Sequence, residues 1–141
     1  MTAARIPLIL AAALFTLPVF AQPVFAQPMP LAEEPHINEQ LVAAQAGDIL
    51  RKTCPTVSAR MFVVWEKASA LEDYARAAGY TEEEVTIFLK DMTQKTRVRT
   101  AAMAYLTAAG VVEGDVESYC KAGRDEIARQ TLVGSLLWSS E

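Results

Sequence analysis

The sequence predicts an all-α protein, a compact bundle of four to five helices stapled by one disulfide. Apolar residues recur at intervals of three and four through most of the chain after residue 35. No run alternates polar and apolar residues for long enough to predict a strand. Cys54 and Cys120 are the only two cysteines. We therefore expect residues 35–138 to form a single helical domain.

Residues 1–26 are interpreted as a signal peptide that is removed on export. Arg5 precedes an uncharged apolar run from Ile6 to Phe20, which is shorter than the roughly 20 apolar residues of a membrane-spanning helix. The segment Pro-Val-Phe-Ala-Gln-Pro occurs twice, which allows cleavage after Ala26 or, alternatively, after Ala21. Export predicts a periplasmic or secreted protein without stable membrane insertion after signal cleavage.

The composition of the mature chain limits the classes of partner that we expect it to bind. Residues 27–34 contain two prolines and an acidic pair, so we expect a flexible leader there. The formal net charge of the whole chain is -4. Nucleic acid and anionic lipid both require clustered Lys and Arg, so neither is expected as the main partner.

The first two predicted helices flank the first cysteine. Helical spacing begins at Pro35 and continues to about Lys52, where Cys54-Pro55 ends it. A second helix is expected over Val57–Ala78, with Thr56 as its N-cap and Gly79 at its C-terminal end. The inner face of this second helix is predicted to consist of Met61, Val64, Trp65, Ala68, Leu71, Ala75 and Ala78.

The third helix has the clearest start signal. Thr81 and Glu84 have the spacing of a capping box, and the helix is expected to extend from Glu82 to about Ala109. Thr96 and Arg99 interrupt its apolar face, which predicts a bend there or a partly buried Arg99. The favoured alternative is that the aliphatic stem of Arg99 packs while its charge reaches solvent. The apolar residues of that face are Val85, Phe88, Leu89, Met92, Met103 and Leu106.

A last helix is predicted from Asp115, its N-cap, to Leu137. Gly123 and Gly134 fall on its inner face, where a small residue lets another helix approach closely. Each glycine also weakens a helix by about 1 kcal/mol relative to alanine, so a kink or break near Gly123 is expected.

A disulfide between Cys54 and Cys120 would join the ends of the bundle. Closing a loop of this length stabilises the folded state by roughly 4 kcal/mol. Two free buried thiols are the alternative, which the export signal disfavours. A redox-active pair is also disfavoured, because the cysteines do not form a Cys-x-x-Cys motif.

No motif predicts an enzyme, a cofactor or a metal site. His36 is the only histidine, and no serine stands in a Gly-x-Ser-x-Gly context. Zinc needs three or four Cys, His or carboxylate ligands, and the cysteines are expected to be oxidised to each other. We therefore predict no catalytic residues.

Two cysteine-centred segments carry a family resemblance. They are Arg51–Met61 and the stretch from Tyr105 to Arg129 that contains Gly110-Val111, Ser118-Tyr119-Cys120 and Gly123–Arg129. Together they resemble a family of small exported alphaproteobacterial proteins classed as a domain of unknown function. The resemblance extends from about Pro35 to Leu137. It implies an envelope protein with paired cysteines and brings no activity with it.

The polar residues next to the cysteines form the candidate site. Ser58 and Arg60 follow one cysteine, and Arg124 and Glu126 follow the other. The bridge would bring them together. One interpretation is structural, with Arg60 or Arg124 paired with Glu126 or Asp125 to hold helix ends. The other is a recognition site for an anionic ligand or for a partner's carboxylate. Partner contacts are also expected from an exposed Val63 or Phe62, or from the C-terminal residues Leu136, Leu137 and Trp138. Packing of these C-terminal residues against the bundle is an equally favoured alternative.

The sequence is compatible with two functions. The first is a small periplasmic helical binding or accessory protein without catalytic activity, whose partner is another envelope protein. The alternative is an envelope stress chaperone of the small acid-activated helical type, because the 17 acids would neutralise on acidification and loosen the fold.

Overall fold

The computed structural model describes residues 28–140 and confirms the all-α class. The predicted signal peptide lies outside the described residues. The helices are α1 (Pro35–Thr53), α2 (Met61–Ala77), α3 (Glu82–Lys90), α4 (Met92–Ala108), α5 (Val116–Ala128) and α6 (Leu132–Ser135). Two short strands, β1 (Val57–Ala59) and β2 (Leu137–Ser139), accompany them. Within the described part of the chain, no helix is long and apolar enough to cross a membrane.

The start of the predicted second helix is wrong, because residues 57–59 form β1. This strand pairs antiparallel with β2, so that Val57 lies opposite Ser139 and Ala59 opposite Leu137. Thr56 does not cap a helix, and its carbonyl oxygen accepts a hydrogen bond from the backbone N–H of Ser140 at 3.0 Å. The partner strand lies some eighty positions away, so local periodicity carried no signal for it.

The prediction of one long third helix is also wrong, because the chain forms two helices, α3 and α4, that are separated at Asp91. The Asp91 carboxylate accepts a hydrogen bond from the backbone N–H of Gln94 at 2.8 Å and caps the start of α4. An aspartate that bonds to nearby backbone competes with a continuing helix. The expected bend at Thr96 and Arg99 is absent, since both residues lie in α4 and are exposed.

The last predicted helix ends early, at Ala128 instead of Leu137. Gln130 adopts a left-handed conformation with φ 52°, which no continuous helix allows. Thr131 then caps α6 by accepting a hydrogen bond from the backbone N–H of Gly134. Other predicted boundaries are confirmed: Pro35 begins α1, Thr81 and Glu84 form a capping box, Gly79 has a positive φ, and Asp115 caps α5.

Two apolar clusters hold these elements together. The larger one joins α1, α4, α5 and α6 around the cysteines, with Leu50 and Leu106 fully buried. The smaller one attaches α2 and α3 to α1 through Ile37, Ala75 and Tyr80. The unequal clusters leave α2 and α3 much less packed than the rest of the domain.

Residues 28–34 differ from the flexible leader that their composition indicated. The hydroxyl of Tyr80 donates a hydrogen bond to the carbonyl oxygen of Met29 at 2.6 Å. The side-chain amide of Asn38 donates to the carbonyl oxygen of Leu31 at 3.0 Å, and Leu31 packs against the smaller cluster. Tertiary contacts therefore hold this segment against α1 and the turn after α2.

Candidate functional site

The predicted disulfide is confirmed. Cys54, the residue after α1, is bonded to Cys120 in α5, with 5.0 Å between the two Cα atoms. Both cysteines are buried. The bond ties the C-terminal end of α1 to α5. Just after it, Val57 of β1 lies so close to Gly123 that a Cβ added to this glycine would come 2.9 Å from Val57 Cγ2. The glycine thus permits the close approach that the sequence predicted, although a strand and not a helix makes it.

The four polar residues predicted beside the bridge belong to different local structures. Ser58 is a half-buried strand residue opposite Trp138, and Arg60 is an exposed residue at the start of α2. The guanidinium of Arg124 forms an ion pair with Glu117 at 2.6 Å. Glu126 takes its hydrogen bonds from residues outside the predicted set. The expected pairing of Arg60 or Arg124 with Glu126 is therefore not the arrangement that holds this carboxylate.

Glu126 is the most deeply buried charged residue of the described chain, with 1% of its surface exposed. The hydroxyl of Tyr105 in α4 donates to its carboxylate at 2.7 Å, and the hydroxyl of Thr131 also bonds to it. Arg129 completes the set as an ion-pair partner at 3.0 Å. Burial, and then the hydrogen bond to Glu126, raises the pKa of Tyr105.

The geometry around Glu126 favours an anchor over a catalytic base. A buried carboxylate is tolerated when its oxygens are hydrogen-bonded and its charge is paired, and three donors meet both needs here. These donors come from α4, the end of α5 and the turn before α6, so the carboxylate joins three elements. Sequence reasoning missed Thr131 and Arg129 as partners because the turn after α5 was predicted as helix.

His36 lies exposed at the start of α1, with its ring 4.4 Å from that of Tyr74. The hydroxyl of Tyr74 donates to Glu34, whose other carboxylate oxygen accepts the backbone N–H of Ile37. Burial raises the pKa of Glu34, but these two hydrogen bonds, together with the backbone hydrogen bond and the charge of His36, outweigh burial and lower the pKa. Within residues 28–140, no three His, Cys, Asp or Glu residues are grouped closely enough to hold a metal ion.

The most unusual surface is that of α2 and α3. We call residues 61–91 the α2–α3 hairpin. Only Ala75 is buried among the seventeen residues of α2, and none of the nine residues of α3 is buried. Met61, Phe62 and Trp65 are 67%, 75% and 68% exposed. The predicted inner face of the second helix is therefore wrong at four of its seven positions, which are Met61, Trp65, Ala68 and Ala78.

The residues predicted to contact a partner also differ in their exposure. Phe62 is exposed and its ring centroid lies 6.5 Å from that of Trp65. Trp138 is half-exposed on β2, whereas Leu136 and Leu137 are buried and Val63 is half-buried. Of the residues predicted to contact a partner, Phe62 of the hairpin is thus the most exposed.

An apolar groove lies between the hairpin and α1. One cavity of about 140 Å³ lies between α1, α2 and α3, and a neighbouring cavity of about 270 Å³ lies between α1, α3 and α4. Both are lined by Leu41, Phe88 and Leu89. A third cavity, between α2 and α3, also includes Leu89 and is bordered by Glu72 and Glu82. We call these adjacent cavities the hairpin groove.

Comparison with known protein families identifies the family of this chain. Residues 29–138 match DUF5333, a family of unknown function. The chain belongs to this family. The match spans nearly every described residue, including both cysteines and the whole hairpin. No curated protein and no solved structure matches the chain.

Proposed function

We propose that this chain is a small periplasmic binding or accessory protein without catalytic activity, which engages another envelope protein through the α2–α3 hairpin. The apolar segment Ile6–Phe20 after Arg5 supports export, and the Cys54–Cys120 bond is compatible with an oxidising compartment. Binding is favoured over catalysis because three donors bond to the buried carboxylate of Glu126, and the ring of His36 packs at a tilt against that of Tyr74.

The exposure of α2 is the observation that carries the proposal. A helix in a small domain ordinarily buries one apolar stripe, yet α2 buries a single residue and presents Met61, Phe62 and Trp65 to solvent. Large aromatic side chains and Met are enriched at protein interfaces and at their energetic hot spots. A partner that covers this face would supply the burial that the domain itself does not.

Photo-crosslinking in the exported protein tests the proposal. A photoreactive amino acid replaces Phe62 in one variant and Val112 in a matched control, since Val112 is also an exposed apolar residue but lies between α4 and α5. We expect one discrete adduct, identified by mass spectrometry, from position 62 and not from position 112. Absence of an adduct at position 62, or the same adduct from both positions, would overturn the proposal.

The chaperone alternative requires that acid loosens the fold, and the capping box of α3 is a contact that acid would weaken. Hydrogen bonds from the backbone and side chain of Thr81 lower the pKa of Glu84, the carboxylate of the α3 capping box. A carboxylate with a lowered folded-state pKa stabilises the fold above its unfolded value and loses that contribution as the pH falls. Acid would thus weaken the start of α3, inside the hairpin that carries the exposed apolar residues.

Aggregation of a client protein separates the two functions. The assay runs at pH 3 and at pH 7, with and without reductant. Suppression of aggregation confined to pH 3 favours the chaperone. The accessory function predicts no suppression at either pH, together with the discrete adduct at position 62.

A further inference from the structure

We propose that the hairpin groove binds a cationic amphipathic segment of the partner protein, with aliphatic side chains in the groove and Lys or Arg side chains against Glu72 and Glu82. This inference rests on the proposed function, because it names the chemistry of the partner. Recognition of an amphipathic helix in an apolar groove requires a row of apolar contacts and a rim that selects charge. The hairpin groove provides both.

The apolar contacts come from three helices. Leu41 of α1, Leu71 of α2 and Phe88 of α3 line the cavity between them. Leu89 is 46% exposed and borders all three cavities of the groove. Aliphatic side chains of a docked segment would remove this surface from water, which is the main favourable contribution to association.

The charge of the rim selects a cationic partner. The α2–α3 hairpin contains seven acidic and three basic residues, a formal charge of -4 that equals the net charge of the whole chain. The acids are Glu66, Glu72, Asp73, Glu82, Glu83, Glu84 and Asp91. Removal of Arg5 with the predicted signal peptide makes the formal charge of the mature chain -5, and the hairpin carries four of these five negative charges. Cationic segments are therefore attracted to the hairpin more than to any other part of the chain.

Glu72 and Glu82 are the acids best placed to contact a docked segment. They border the same cavity from α2 and α3, and neither has an ion-pair partner among residues 28–140. Arg76 borders that cavity too, but it is paired with Asp73 at 2.8 Å. The far end of the groove is lined by the exposed cation Lys95 and by Asp48, whose charge is offset by ion pairs with Arg51 and Lys52. The opposite charges of the two ends favour a segment whose basic side chains lie toward α2 and α3.

Synthetic peptides test the charge and the apolar contacts separately. The probes are two fluorescein-labelled amphipathic helices, one of Leu and Lys and one of Leu and Glu at the same positions. Binding to the oxidised mature protein is measured by fluorescence anisotropy. We expect each ion pair with Glu72 or Glu82 to strengthen binding of the peptide about threefold. The Leu-Lys peptide should therefore bind roughly tenfold tighter than the Leu-Glu peptide.

Matched variants locate the binding site. Glu72→Gln with Glu82→Gln should weaken binding of the Leu-Lys peptide about tenfold. Glu39→Gln with Glu113→Gln removes the same charge from exposed residues outside the hairpin and should change affinity by less than about twofold. Leu89→Ser should weaken binding of the Leu-Lys peptide, whereas Val112→Ser should not. Circular dichroism checks that each variant is folded.

Three results would overturn the inference. Equal weakening by the two charge pairs would mean that net charge alone attracts the peptide. Equal affinity for the two peptides would remove the role of the rim. A dimer in sedimentation that dissociates with Leu89→Ser would mean that a second copy covers the groove. If any of these occurs while the adduct at position 62 persists, the groove inference fails and the proposed function stands.

Discussion

Gly134→Ala tests the contact between α6 and the end of α5. A Cβ added at Gly134 would lie 2.0 Å from the carbonyl oxygen of Glu126, 2.3 Å from its carbonyl carbon and 2.7 Å from the nitrogen of Ile127. All three are backbone atoms of α5, so no side-chain rotation relieves the overlap. The helix α6 would have to move away from α5.

The expected cost follows from the size of this overlap. Overpacking a core costs about 1–3 kcal/mol, and the upper end applies where the backbone must move. Displacement of α6 would also expose part of Val133 and Leu137, each of which is worth about 1.5–3 kcal/mol when fully buried. We therefore expect Gly134→Ala to lower the free energy of unfolding by about 3 kcal/mol.

Urea unfolding of the oxidised domain, followed by helical circular dichroism, measures this cost. With a slope of about 2 kcal/mol per molar urea, the midpoint should fall by about 1.5 M. Gly47→Ala is the matched control, because a Cβ at this position in α1 would lie 3.7 Å from Leu137 Cδ2, an ordinary contact. Alanine favours a helix by up to about 1 kcal/mol over glycine, so the control should be unchanged or more stable. A Gly134→Ala midpoint at or above that of the unchanged protein would refute the reasoning.

Three further predictions concern the bridge, the buried carboxylate and the cap of α3. Replacement of Cys54 and Cys120 by Ala should cost about 4 kcal/mol, because the bond spans 66 positions; equal urea midpoints for the variant and the oxidised protein would contradict this. Glu126→Ala should cost about 3 kcal/mol in the same assay, since it leaves the Tyr105 hydroxyl without its acceptor. Glu126→Gln keeps the volume of the side chain and an acceptor, so it should cost less, and equal costs for the two variants would exclude a hydrogen-bonding role. The protection of α3 amides against hydrogen exchange should fall as the pH drops below the ordinary glutamate pKa of about 4.3, because the pKa of Glu84 is lowered in the folded state. Thr81→Ala should weaken that pH dependence, and an unchanged profile would remove the cap as its cause.

The candidate site could be predicted only in part. Two cysteines together with a predicted export signal indicated the bridge, and a large exposed side chain at Phe62 was correctly proposed. The acceptor role of Glu126 was not foreseen, because its donors Tyr105 and Thr131 are 21 and 5 positions away and meet it only after the chain turns. The hairpin groove was missed for the same reason, since the long third helix was predicted to pass Asp91 without a break.

The sequence by itself determined the helical class, the bridge between positions 54 and 120, and the caps at Thr81 and Asp115. These features depend on residues that interact within one turn, or on a covalent pairing with one possible partner. Only the tertiary structure decided that residues 57–59 form a strand and that the face of α2 with Trp65 points away from the core. Helical periodicity gives the apolar face of a helix, but whether that face is buried depends on the rest of the fold. In this domain, α1, α4, α5 and α6 complete the main core, and α2 keeps an apolar surface in water.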